Sequence, residues 1–169
     1  ADDAVSGVGG VSACMTAWAD SVPKMALSLA ILSRAQTLSA GNDMNRTKAS
    51  PHDTLIGKIG EVAFAYAFFR NIDLTCANGT EDFSKIEVKC SQCALHENMH
   101  LLVREDYAKK RSPPIYVQII LSGIGAGDTI YWPGWATHEE VIAGTLKDFG
   151  SKLGANGGYR CYGVKLFKL

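Results

Sequence analysis

Near residue 70 the apolar residues change from a helical repeat to strict alternation, and this limits the folds open to the chain. Upstream of the change, Leu55, Ile59, Val62, Tyr66 and Phe69 form one stripe of a helix expected over Thr54 to Phe69, with Asp53 as its N-terminal cap. Ile56, Ala63, Phe64, Ala67 and Phe68 make its other faces nearly as apolar, so the helix is expected to be sandwiched, with Gly57 and Gly60 admitting a neighbouring backbone. Glu61 lies on the flank with Thr54, Gly57, Ala65 and Phe68, and a carboxylate on so apolar a helix needs a partner, for which Lys58 and Lys89 are the candidates.

Downstream, short runs rich in β-branched and aromatic residues are separated by turn chemistry. Strands are expected at 72–75, 86–90, 99–103, 115–121, 129–135 and 159–167. The run from Ile115 to Leu121 is apolar almost throughout, as a central strand must be. A short helix over His138 to Ala143, capped by Thr137, falls between the last strands, and the glycine-rich stretch Gly123 to Gly127 is a hairpin connection without the Lys-Ser/Thr of a phosphate loop. The fold class is therefore α+β, with a mixed sheet against which the Thr54 to Phe69 helix packs.

The 169 residues suit one domain, divided here into an N-terminal helical extension and loop over 1–50 and a core over 51–169. In the extension Met15, Trp18, Val22, Met25, Leu29 and Leu32 keep a helical rhythm broken at Pro23, and the polar run Ser39 to Asp53 reads as a loop. The apolar stripe there either packs on the chain's own sheet or closes a homodimer through Trp18, Met25 or Leu29. Lys+Arg and Asp+Glu both number 17, so any affinity for a polyanion must come from a local patch. Nothing approaches the length of a membrane span, the first residues lack the pattern of a signal peptide, and the missing Met suggests a trimmed or incomplete N-terminus. Five cysteines without framework spacing favour free thiols, and with them an intracellular, cytoplasmic setting.

The segment Glu81-Asp82-Phe83-Ser84-Lys85-Ile86-Glu87-Val88-Lys89-Cys90 carries the chemistry. Alternation on a strand sends Glu87 and Lys89 to one face and Ile86 and Val88 to the core. If Ser84-Lys85 is a two-residue turn, Phe83 pairs with Ile86 and Asp82 with Glu87, bringing the two carboxylates to about 4.5–5.5 Å at Cβ. Two hard carboxylate oxygens and a backbone carbonyl, that of Val88, suit Mg²⁺, with Mn²⁺ as a substitute, and the ammonium of Lys89 beside them suits phosphodiester hydrolysis. Asp73 takes the acidic role instead if the Asn78-Gly79 turn forms the hairpin.

Gly57-x-x-Gly60-Glu61 on a helix, then Asp82, then Glu87-Val88-Lys89, resembles the PD-(D/E)XK nuclease superfamily over roughly residues 53–167. Leu101 to Arg104, the apolar strand, and Tyr131 to Thr137 with the short helix after it look like a group of phage and bacterial proteins carrying that core. The resemblance implies a restriction-endonuclease-like fold and Mg²⁺-dependent DNA cleavage. It implies Asp82 and Glu87 as metal ligands, Lys89 as the catalytic lysine and Glu61 as the helix-borne acid. The alternative is a nuclease-fold module that binds DNA or assembles without turnover.

The remaining motifs are weaker. Cys90-Ser91-Gln92-Cys93 has no second pair to complete a zinc knuckle and reads as packing thiols, while His96 and His100 read as solvated loop residues. Lys109-Lys110-Arg111, with Arg104 nearby, is the one basic cluster, either ordinary surface charge or a track for a DNA backbone.

Overall fold

The computed structural model describes Ala26, Ala30 and residues 51–68, 82–124, 128–148 and 160–166. In chain order these hold α1 (Pro51–Ala67), β1 (Ile86–Gln92), β2 (His100–Arg104), α2 (Glu105–Lys110), β3 (Ile115–Leu121), β4 (Ile130–Thr137), α3 (His138–Ile142), β5 (Thr145–Lys147) and β6 (Cys161–Lys165). The class is α+β. The expected strand at 72–75, Asp73 on it, and the Trp18, Met25 and Leu29 stripe lie outside the described residues.

Two three-stranded sheets share the strands, ordered β1-β3-β4 and β2-β6-β5. β3 is central, parallel to β1 and antiparallel to β4, as its apolar run requires. The runs near residues 100 and 160 do not join that sheet: β2 and β6 pair with each other, with the unexpected short strand β5 on the far side of β6. In β4, Pro133 has no N–H to offer, and the register with β3 shifts between Gln118 and Ile120. Gly134 follows at φ 150°, a backbone angle that side-chain-bearing residues avoid.

α1 packs on β1. It begins at Pro51, three residues before the expected start, so Asp53 sits in its first turn rather than capping it. Proline suits the first helical position because the N–H it lacks has no partner there. Of the expected stripe Ile59 and Val62 are buried and Leu55 packs against the core, but Tyr66 is 63% exposed, and the buried side extends instead over Ile56, Gly60, Ala63, Phe64 and Ala65. Gly60 sets this orientation. A Cβ on it would lie 2.5 Å from the Cβ of Cys90, so the helix meets β1 there at a distance only glycine allows. A Cβ on Gly57 would meet nothing within 4 Å, so that glycine is not needed for close approach.

The α1 side of the first sheet forms one core, in which Val88, Ile119, Leu121 and Ile130 join the α1 residues, with Ile86 and Cys90 packed against them. Ala26, helical and fully buried, belongs to the same core. A second cluster joins Leu101, Val103, Ala108, Tyr116, Ala136 and Val141. The short α3 starts as expected: Thr137 accepts from the Glu140 N–H, and the Glu140 carboxylate accepts from the Thr137 N–H. Among the described residues no helix is long and apolar enough to cross a membrane.

Candidate active site

The site starts at the turn before β1. Ser84 and Lys85 form a two-residue connection, and Phe83 and Ile86 exchange backbone hydrogen bonds as an antiparallel pair. Lys85 stands at φ 73°, a left-handed conformation that costs a lysine about 1–2 kcal/mol. Phe83 offsets it. Its ring is 7% exposed and packs 5.0 Å from the ring of Phe64 on α1, and burying a phenylalanine stabilises by about 1.5–3 kcal/mol.

The expected pairing holds at the turn and ends there. Asp82 does not continue a ladder opposite Glu87; its carboxylate Oδ2 instead accepts the backbone N–H of Val88 at 2.8 Å. A side chain has taken the place of the next strand residue. Because a strand residue's N–H and C=O leave the chain on the same side, the Val88 carbonyl opens toward that same edge of β1.

Glu87 and Lys89 share the opposite face from Val88, as alternation requires, and Lys89 Nζ donates to Glu87 Oε1 at 2.6 Å. In the parallel register Glu87 stands beside Tyr116 and Lys89 beside Gln118. Glu87 is buried, and its second oxygen, Oε2, has no hydrogen-bond partner among the described residues. An unpaired buried carboxylate oxygen is costly, and a site that keeps one is built for something else.

Glu61 enters from α1. Its carboxylate accepts both hydrogen bonds from Lys58, one turn earlier, at 2.6 and 2.8 Å, so Lys58 rather than Lys89 is its direct partner. Burial raises the Glu61 pKa, Lys58 opposes this, and the charge of Glu87 adds to the rise. Asp82 is affected most. Burial first, then the negative charges of Glu61 and Glu87, push it up to about 7, against the lowering pull of the Val88 N–H and Lys89. The same field, after burial, raises Tyr116 to about 12. Glu61 on α1 and Asp82, Glu87 and Lys89 at the start of β1 thus lie in one electrostatic neighbourhood.

A hard divalent cation fits part of this donor set. Asp82, the unpartnered Glu87 oxygen and the Val88 carbonyl are oxygen donors of the right chemistry, and a cation would offset both the burial and the negative charges that push Asp82 up to about 7. Glu61 is already paired with Lys58, and among the described residues no three Asp, Glu, His or Cys side chains are gathered closely enough to hold a metal by themselves.

The basic cluster divides. Arg104 and Arg111 flank Tyr107, with guanidinium carbons 5.2 and 5.6 Å from its ring centroid, and Lys89 Nζ lies 5.6 Å from the same centroid. Lys109 is instead paired with Glu105 at 2.8 Å, which also holds Arg160 at 2.9 Å. Lys110 is exposed. Tyr107 was missing from the expected set, and so was α2 itself. Arg104 ends β2 and Arg111 follows α2 in extended conformation, so both reach Tyr107 from outside the helix and no helical repeat in the sequence marks the three.

Cys90 and Cys93 are free thiols, as expected; burial pushes Cys90 up to about 12. His96 is exposed in the loop before β2, while His100 is the half-buried first residue of that strand. Comparison of the chain with protein-family models, with curated proteins and with solved structures finds no match.

Proposed function

We propose that the protein is a divalent-metal-dependent endonuclease that hydrolyses DNA phosphodiester bonds on a restriction-endonuclease-like core. The observation that carries this reading is the shared environment of Asp82, Glu87 and Lys89 at the start of β1, with a buried carboxylate oxygen left unpartnered among acidic neighbours. Asp82, Glu87 and the Val88 carbonyl would hold Mg²⁺ or Mn²⁺. Such a cation supplies an acidified water and neutralises charge on a phosphate oxygen.

The chain's own residues do the rest. Lys89, held against Glu87, presents a positive charge where charge builds on the phosphorus oxygens during attack. Tyr116 and Gln118, its neighbours on β3, wall the face that Glu87 and Lys89 share. Glu61 keeps a negative charge near Asp82, partly balanced by Lys58. Arg104 and Arg111, which meet the same Tyr107 ring as Lys89, would supply positive charge for the DNA backbone, with the exposed Lys110 adding to it.

A second reading, a nuclease-fold module that binds DNA or assembles without turnover, is favoured by the pairing of Glu61 with Lys58 and of Glu87 with Lys89. Incubation of supercoiled plasmid with the protein and Mg²⁺ or Mn²⁺ separates the two. Metal-dependent nicking, absent with a chelator, supports the enzyme; binding without nicking supports the module.

A further inference from the structure

Glu87 is not the only group that meets Lys89. The Tyr107 ring lies between three cations drawn from separate places: Lys89 on β1, Arg104 at the end of β2 and Arg111 just beyond α2. Each is within 5.6 Å of the ring centroid, so any two lie within twice that distance of one another. Cations this close repel. The ring face returns roughly 0.5–1 kcal/mol to each at exposed sites, and Asp106 holds the Arg104 guanidinium by two bonds, Nε to Oδ1 at 2.9 Å and Nη2 to Oδ2 at 2.6 Å. The positions of the three cations are thus determined before any ligand arrives, which lowers the ordering cost of binding, while Asp106 and Glu87 balance part of the charge of Arg104 and Lys89.

The chemistry selects the ligand. A ring has two faces, so at least two of the three cations share one, and Tyr107 is already engaged rather than a bare platform for a base. A single phosphate needs fewer charges than this. A phosphodiester strand offers a row of them at the spacing of its backbone, and a guanidinium has N–H donors on more than one edge, so Arg104 can meet a phosphate oxygen while Asp106 keeps its Nε and Nη2.

We propose that Arg104 and Arg111, positioned by Tyr107, form a clamp for the phosphates flanking the one presented to Lys89. The substrate is therefore gripped by its backbone, without base readout from this surface. The inference rests on the nucleic-acid reading of the site, but its test does not require cleavage.

The experiment is fluorescence anisotropy of a labelled duplex oligonucleotide with the full chain in EDTA, over a series of salt concentrations. Relative to wild type, the double variant Arg104→Gln/Arg111→Gln is expected to bind roughly tenfold or more weakly, with the slope of log affinity against log salt reduced by about 1.8. Lys165→Gln, an exposed lysine on β6, controls for loss of charge in general and is expected to change both far less. Tyr107→Phe keeps the ring and is expected to bind as wild type, while Tyr107→Leu weakens binding with the arginines still present. Wild-type affinity and slope in the double variant, an equal loss in Lys165→Gln, or no binding by the wild type at all would overturn the clamp. Clamp-dependent binding by a wild type that never nicks DNA with Mg²⁺ would leave the clamp standing and remove only the endonuclease.

Discussion

Asp82 caps β1 on the side away from β3 by accepting the Val88 N–H at 2.8 Å, so one carboxylate both ends the hairpin and stands beside the residue whose carbonyl faces the same edge. That double role sets a conflict. The hydrogen bond favours an ionised Asp82, whereas burial and the charges of Glu61 and Glu87 disfavour it, and the second group of effects wins.

The conflict has a pH signature. Asp82 has a folded pKa of about 7 against an ordinary value of 3.8, so between these limits the folded chain keeps a proton that the unfolded chain has lost. Stability of the metal-free protein is therefore greatest below about pH 4 as far as this group is concerned, falls as pH rises, and is lost fully above about 7. At about 1.4 kcal/mol per pKa unit the effect is on the order of a few kcal/mol. Urea unfolding in EDTA is expected to show Asp82→Asn more stable than wild type at pH 8 and much less so at pH 5. An equal difference at both pH values contradicts the assignment.

The two α1 glycines are expected to respond in opposite directions. Gly57→Ala adds a methyl group to open space and gains helix propensity, raising stability by about 0.5–1 kcal/mol. Gly60→Ala drives its methyl group to 2.5 Å from the Cys90 Cβ and 2.9 Å from its sulfur, and is expected to cost about 1–3 kcal/mol as α1 is forced off β1. Denaturation midpoints that move together would contradict this helix orientation.

Thiol reactivity separates the CxxC pair. Cys93 is exposed, while Cys90 faces Gly60 with its pKa pushed to about 12, so it offers almost no thiolate at neutral pH. Iodoacetamide at pH 8, followed by peptide mapping, is expected to label Cys93 in the folded protein and Cys90 only after denaturation. Equal labelling would show that α1 does not cover β1 at Gly60.

Several of these features were legible in the sequence because local chemistry decided them. The run 115–121 admitted only a central strand, Thr137 with Glu140 could close a capping box, and alternation alone put Glu87 and Lys89 on one face. The parts that were not legible depended on contacts between distant residues. The buried side of α1 followed the close approach of Gly60 to Cys90, which no periodicity encodes, and left Tyr66 outside. Six residues are too few for α2 to announce itself by repeat, although Glu105-Asp106 at its start and Lys109-Lys110 at its end match the helix dipole. With α2 unseen, Tyr107 and its link to Lys89 were unseen too. Assigning β2 and β6 to a second sheet needed strand pairing across some 60 positions, beyond any local signal.

Lys89 is the most direct test of the central proposal. Lys89→Gln retains a donor for Glu87 Oε1 and removes the charge, so the fold is expected to survive, as circular dichroism and thermal melting would register. Plasmid nicking in Mg²⁺ is then expected to fall by about 10²–10³, the usual cost of losing a group that stabilises transition-state charge. A Lys89→Gln protein that nicks plasmid at the wild-type rate would contradict the account.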